Sequence, residues 1–191
     1  METDTVKVER NEIVKVERNP RQINNKTSVL AQILLRTIAF GATLAATLLI
    51  ATSKQSIVLY GYPINAEYSY SPPFRFFLGA NALVSGYSLL SMPFAFILSR
   101  QRTDLWGSYV MFLMDLMMMG LTIAASSAAT SIGYLGRYGN SHIGWTAICD
   151  NFGKFCNKVG ISVIFSFVAI LPFIILTLIF AKPRQTRLAT Y

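Results

Sequence analysis

Two ionisable side chains lie inside long apolar runs and are the first candidates for chemistry. Arg36 is the only charged residue between positions 28 and 53, and Asp115 is the only one between positions 105 and 136. A charge at the centre of a bilayer costs about 2.5–3.5 kcal/mol even on the lenient insertion scale, so such residues usually pair or face a polar interior. The two residues therefore predict either a structural ion pair or a polar pathway.

Three interpretations of Arg36 and Asp115 are open. On helices that rise from the same face, the two side chains would lie about 10 Å and about 15 Å deep, an offset that an arginine can bridge. They could then form an inter-helix ion pair, in which each partner offsets the other's desolvation. Alternatively, Arg36 snorkels to the interface and Asp115 is protonated in a dry site. A proton or ion relay is the third option, but it needs a chain of ionisable groups. We favour the ion pair.

Cys149 and Cys156 are the only cysteines in the chain. An even number in a segment predicted to face an oxidising compartment favours a disulfide, with free thiols as the alternative. On a continuous helix the two would lie about 10.5 Å apart, so a bond requires the segment to fold back. His142 and Asp150 lie nearby without a recognised ligand spacing, so we expect no metal site and no cofactor.

The segment around the cysteines is also rich in aromatic residues, including Trp145, Phe152 and Phe155. Aromatic side chains form belts at the two interfaces of a membrane. The same residues would also suit a docking surface for an extracellular partner. The sequence leaves both interpretations open.

Long apolar elements must position all of these side chains. The chain has 191 residues, of which 53% are hydrophobic and 14% charged. A bilayer core about 30 Å thick needs about 20 mostly apolar residues in a helix. We therefore predict an all-α fold, a polytopic membrane protein with a four-transmembrane-helix bundle, and we exclude a soluble enzyme and a single-span receptor. The predicted spans are 29–52, 76–98, 105–130 and 159–181.

The segments between the spans are too short to bury a core of their own. The prediction is one membrane domain over 29–181, with a disordered tail over 1–28, outer loops at about 53–75 and 131–158, and a tail over 182–191. Both tails and the 99–104 link hold more Lys and Arg than the two loops. Such a bias predicts that both termini are cytoplasmic. A glycan on Asn25, in the only Asn-X-Ser/Thr sequon, would reverse this topology.

Composition also bears on the partners. The net charge of +8 is typical of proteins that bind phosphate groups, but the basic residues of the tail alternate with Glu, and no basic-aromatic platform is present. We therefore expect attraction to anionic lipid and no nucleic-acid partner. Small residues recur every four positions on three spans, which favours close helix packing within the bundle or between subunits. These are Gly41 and Ala45, Ala82 and Gly86, and Gly120, Ala124 and Ala128.

Several segments together resemble one family of plant proteins. The most specific is Gly139-Asn-Ser-His-Ile-Gly-Trp-Thr-Ala-Ile-Cys-Asp-Asn-Phe-Gly-Lys-Phe-Cys156. Others are Ala66-Glu-Tyr68, Phe74-Arg-Phe-Phe-Leu-Gly-Ala-Asn-Ala82 and Gly86-Tyr-Ser-Leu-Leu-Ser-Met-Pro93. The chain resembles the Casparian strip membrane domain protein-like (CASP-like) family, which is related to the MARVEL four-helix domain. Arg36 and Asp115 match the family's first-span Arg and third-span Asp.

This resemblance implies a non-enzymatic scaffold of the plasma membrane. By this resemblance the protein would form homo- or hetero-oligomers and would organise a membrane subdomain or recruit extracellular cell-wall-modifying enzymes. The founding members carry an acid-led, aromatic-rich signature in the first outer loop, where this chain has Ser56-Ile-Val-Leu-Tyr-Gly-Tyr-Pro63. We therefore expect a "-like" member that acts outside the Casparian strip. The rival hypothesis is a small transporter or channel subunit that uses Arg36 and Asp115.

Overall fold

The structure is a computed structural model of the chain, and it describes residues 29–59, 62–100 and 105–188. The predicted N-terminal tail, including the Asn25 sequon, lies outside these ranges. So do most of the predicted 99–104 link and the last three residues of the C-terminal tail.

Four long helices make up most of the described chain. They are α1 (Val29–Ala51), α2 (Pro72–Arg100), α3 (Leu105–Tyr138) and α4 (Gly153–Leu188). Each contains a stretch that is long and apolar enough to cross a membrane. This confirms the predicted fold class of a four-span, all-α membrane protein.

Three of the helices extend beyond the predicted spans. α2 begins at Pro72 instead of 76, α3 continues to Tyr138 instead of 130, and α4 begins at Gly153 instead of 159. α4 also runs into the predicted C-terminal tail, as far as Leu188. Hydropathy locates the part of a helix that suits hydrocarbon, whereas backbone hydrogen bonds continue into the interfacial layers, where polar residues are tolerated.

A short β-hairpin follows α1 and was not predicted. Strands β1 (Lys54–Leu59) and β2 (Tyr62–Glu67) pair antiparallel, with Lys54 opposite Glu67. These two side chains form an ion pair at 2.7 Å, and the neighbouring carboxylate raises the pKa of Lys54 above its ordinary value. The hairpin and the loop between α3 and α4 lie at the same end of the bundle, which we call the hairpin end.

Two apolar clusters in the bundle draw on all four helices. The first lies towards the hairpin end and includes Ile50 of α1, Phe77 of α2, Ala129 of α3 and Val163 of α4. The second surrounds Phe173 of α4, with Ala39, Val84 and Met118 from the other three helices. Many of the buried residues are Ala or Ser, and such small side chains let helix backbones approach closely within a membrane.

Candidate functional site

The charged pair predicted from the sequence meets in the interior of the bundle. Arg36 Nη1 donates to Asp115 Oδ1 at 3.0 Å, and Nη2 donates to Oδ2 at 2.8 Å. Both side chains are 0% exposed. Two parallel N–H···O bonds of this kind fix orientation as well as charge. The structure thus joins α1 to α3 by a bidentate ion pair, and the Arg36 side chain does not reach the bundle surface.

Helix α2 supplies two further partners that the sequence analysis did not identify. Ser91 Oγ accepts a hydrogen bond from Arg36 Nη1 at 2.7 Å. The Tyr87 hydroxyl donates to Asp115 Oδ1 at 2.7 Å, and the Tyr87 ring centroid lies 5.9 Å from the Arg36 guanidinium carbon. The ion pair is therefore a junction of three helices, and we call Arg36, Tyr87, Ser91 and Asp115 the charged junction.

The junction satisfies nearly all of its polar atoms. Three donors converge on the Asp115 carboxylate, which in its ionised form only accepts hydrogen bonds. Ser91 also donates to the carbonyl of Ser88 at 3.0 Å. Arg36 Nε is the one buried side-chain nitrogen or oxygen in the described ranges that has no hydrogen-bond partner. Such saturation suits a fixed structural contact.

A second polar layer connects α4 to the other three helices. Ser166 Oγ donates to Asn81 Oδ1 at 2.8 Å and lies 2.8 Å from Ser126 Oγ. One turn away, Ser162 Oγ donates to the Ala46 carbonyl at 2.7 Å. Double-mutant cycles give about 0.6 kcal/mol on average for a hydrogen bond between membrane helices. These hydrogen bonds therefore fix the alignment of the helices more than they raise the free energy of unfolding. We call this set of residues the serine layer.

The two cysteines form a disulfide in the loop that leads into α4. Cys149 and Cys156 have Cα atoms 5.7 Å apart, which lies within the usual range for a bonded pair. The chain turns at residues 149–151, before α4 begins at Gly153, so Cys149 is not on the helix. This turn brings the two cysteines closer than a continuous helix would allow.

Backbone hydrogen bonds hold the rest of this loop against the end of α3. The amides of Ile148 and Cys149 both donate to the carbonyl of Gly136, at 2.8 and 3.0 Å. Asn140 and Trp145 exchange two backbone hydrogen bonds, at 2.8 and 3.0 Å. The disulfide loop, residues 139–152, is therefore attached to α3 by hydrogen bonds and to α4 by a covalent bond.

Two glycines of the disulfide loop have left-handed backbone conformations, and they form a matched test. Gly139 has φ 66° and Gly144 has φ 73°. A Cβ at Gly139 would lie 2.5 Å from the Trp145 carbonyl oxygen, whereas a Cβ at Gly144 meets nothing within 4 Å.

We expect Gly139→Ala to destabilise the protein by more than the 1–2 kcal/mol or so that the left-handed conformation alone costs a non-glycine residue. Gly144→Ala should cost about that amount and no more, because it adds strain without a clash. Thermal unfolding of the two variants in the same detergent measures the difference. Equal destabilisation would show that the close approach at Gly139 relaxes without cost.

The three aromatic residues that were predicted as a docking surface differ in their exposure. Trp145 is 51% exposed, whereas Phe152 is only 6% exposed. Phe155 is partly buried, and its ring packs edge-on against Phe74 with the centroids 6.2 Å apart. Phe152 immediately precedes α4, and its side chain is buried within the protein. Of the three residues, Trp145 is the most exposed.

The hairpin is fixed to the first turn of α4 by side chains of β1 and α4. Gln55 Oε1 accepts from the Phe155 amide at 2.9 Å. The first amides of a helix have no partner within the helix, so this contact acts as a cap supplied from another element. Lys158 Nζ donates to the Thr52 carbonyl at 3.3 Å. The hairpin, the disulfide loop and α4 therefore form one connected unit.

Within residues 29–59, 62–100 and 105–188, no group of three or more His, Cys, Asp or Glu side chains lies in a position to hold a metal ion. The buried ionisable groups are instead paired with each other in the charged junction. The fold and the site together define a class of protein, a four-span integral membrane protein whose helices are tied by buried polar contacts.

Comparison with known proteins identifies the family within that class. The model of the Casparian strip membrane protein domain matches residues 25–172, so the chain belongs to the CASP-like family. It is 42% identical over 174 residues to CASP-like protein 1F1 of Vitis vinifera, covering 91% of this chain and 84% of the relative. It is 44% identical over 156 residues to CASP-like protein 1F2 of Populus trichocarpa, covering 81% and 86%. No solved structure matches the chain significantly.

Proposed function

We propose that the protein is a non-enzymatic scaffold of the plasma membrane that assembles with itself and with related family members. In this role it organises a membrane subdomain or recruits extracellular cell-wall-modifying partners. The observation that carries the proposal is the pairing of the buried charges inside the bundle. Arg36 and Asp115 are fully buried and bonded to each other, so they are placed to hold helices together and are not presented to a solute.

The orientation that we propose places both termini in the cytoplasm and the hairpin end outside the cell. The disulfide between Cys149 and Cys156 supports this orientation, because such bonds persist in oxidising compartments. The exposed indole of Trp145 would then be presented to an extracellular partner. Glycosylation of Asn25 in the native membrane would contradict this orientation.

Small residues on the face of α3 that points away from the bundle support self-association. Gly120 and Ala124 are exposed, whereas the alanines that pack inside the bundle are their neighbours Ala125 and Ala129. A Cβ at Gly120 would meet nothing within 4 Å, so packing inside this chain does not require a glycine there. A close approach of a second helix does benefit from one.

We expect Gly120→Leu to abolish self-association while the monomer keeps its fold. The leucine side chain would keep a second helix away from the α3 backbone, whereas Gly120→Ala retains a small residue and serves as the matched control. Crosslinking in native membranes with a reagent that does not react with cysteine, followed by size-exclusion chromatography, measures the fraction of oligomer. An oligomer that survives Gly120→Leu unchanged would place the contact on another face.

Photobleaching of a fluorescently tagged copy tests the scaffold role in cells. Immobile clusters in the plasma membrane, lost in the Gly120→Leu variant, are the expected result. A freely diffusing monomer would contradict the proposal. Solute flux in reconstituted liposomes that is abolished by Asp115→Asn would instead support the transporter hypothesis.

A further inference from the structure

A large cavity lies at the hairpin end. Its lining contains no residue of the charged junction or of the serine layer. Its volume is about 780 Å³, which falls within the range typical of ligand sites. It is open on one side and is lined by β2, the start of α2, the end of α3, the disulfide loop and the start of α4.

The cavity follows α3 from the apolar interior to the level of the loops. Its lining on that helix runs from Ala129 to Tyr138, a rise of about 14 Å at the helical spacing. On α4 it reaches down to Val163, inside the stretch long and apolar enough to cross a membrane. One end of the cavity thus lies beside the apolar part of the bundle and the other beside the loops, which would suit an acyl chain at one end and a lipid head group at the other.

Most of the lining is apolar or aromatic. It includes Phe74, Phe152 and Phe155, and Gly133 contributes on the α3 side. A Cβ added to Gly133 would meet nothing within 4 Å, so the glycine widens the cavity and is not required for a helix contact. Such a slot accepts a hydrocarbon chain and offers it continuous apolar contact.

The charges at the mouth favour an anion. Glu67 lines the cavity, but its carboxylate is paired with Lys54 at 2.7 Å. Arg137 also lines the cavity and is exposed, and no carboxylate of the described ranges forms an ion pair with it. The guanidinium group is planar and binds phosphate through two parallel hydrogen bonds. The excess charge at the mouth is therefore positive and carried by Arg137.

We propose that this cavity binds one membrane phospholipid whose head group carries a net negative charge. An acyl chain lies along α3 beside the aromatic residues of the lining, and the head-group phosphate pairs with Arg137. The disulfide loop forms part of the cavity wall, since Cys149 and Cys156 both line it. The inference is independent of the scaffold proposal, because a monomer would hold the lipid equally well.

Quenching of Trp145 by brominated lipid tests the proposal in the full-length protein. The chain has two tryptophans, and Trp145 lines the cavity, so Trp106→Phe leaves a single reporter beside the site. The protein is placed in phosphatidylcholine nanodiscs that contain a few per cent of brominated phosphatidylglycerol or brominated phosphatidylcholine. The anionic lipid should occupy the cavity about fivefold more at equal content, the preference that one well-placed arginine supplies.

Matched variants separate the cavity from the membrane surface. Arg137→Gln should remove the preference for the anionic lipid, whereas Arg75→Gln should leave it, because Arg75 is exposed near the same end without lining the cavity. Gly133→Leu fills the cavity and should lower quenching by both lipids. Gly79→Leu is its control, since Gly79 is also exposed with open space around it and does not line the cavity.

Three outcomes would overturn the proposal. Equal quenching of the wild-type reporter by the two lipids would show that the cavity does not select a head group of net negative charge. An equal loss of preference in Arg137→Gln and Arg75→Gln would assign the effect to general surface charge. Unchanged quenching in Gly133→Leu would show that no acyl chain enters the cavity.

Discussion

Replacing Asp115 with alanine is expected to destabilise the protein by about 3–5 kcal/mol, because Arg36 would stay buried without a counter-ion. The guanidinium group is 0% exposed, and its remaining side-chain partners, Ser91 Oγ and the Tyr87 ring, are neutral. Tyr87 would lose its acceptor as well. Since whole domains are stable by only about 5–15 kcal/mol, we expect little folded protein in the membrane. Fluorescence-detected size-exclusion chromatography of tagged variants measures the folded fraction.

A graded set of variants shows whether the uncompensated charge causes this loss. Tyr87→Phe leaves the ion pair intact and removes one hydrogen bond to a charged group, which should cost about 1.5–3 kcal/mol. The double variant with Arg36→Met and Asp115→Leu removes both charges and should recover most of the folded protein, because no buried charge is left unpaired. Full accumulation of Asp115→Ala alone would show that the pair does not hold the bundle together.

The charged pair and the four spans could be predicted because both give strong one-dimensional signals. A single charge in a run of more than twenty apolar residues is rare, since its cost in hydrocarbon is high. The depths expected from helical rise then placed Arg36 within reach of Asp115. The structure brings the two side chains together in the interior.

The two residues of α2 that bind this pair could not be recognised from the sequence in the same way. Serine and tyrosine are common in membrane helices and cost little when they face a neighbouring helix, so Ser91 and Tyr87 could not be singled out from the many others. Their spacing of four residues does place them on one face of α2. Asn81 was more conspicuous, because an amide in a span needs partners, but its contact with Ser166 depends on how α2 and α4 are aligned.

The hairpin and the burial of the aromatic residues could not be predicted from the local sequence pattern. The strands β1 and β2 are short, and β1 is fixed by a contact with the first turn of α4, which lies about a hundred residues further along the chain. The burial of Phe152 follows from the turn at 149–151 that precedes α4. Composition alone could not separate this buried ring from the exposed indole of Trp145.

Removing the disulfide by a double change, Cys149→Ser with Cys156→Ser, is expected to lower the stability by about 2–3 kcal/mol. The bond closes a loop with a sequence separation of 7, and the entropy of closing so short a loop accounts for a cost of this size. The loss should be local to the hairpin end. The bond joins the disulfide loop to α4, while the charged junction and the serine layer are formed by other residues. Thermal unfolding of the purified variant, together with limited proteolysis of the loop, measures both effects.

Reductant supplies the control for this prediction. The wild-type Tm should fall in the presence of a membrane-permeant thiol to the value of the double variant, and the variant itself should not respond. Because Gln55 caps the Phe155 amide and Gly136 accepts two amides of the loop, α4 should still begin near Gly153 without the bond. A wild-type Tm that does not change on complete reduction would show that these hydrogen bonds alone define the hairpin end.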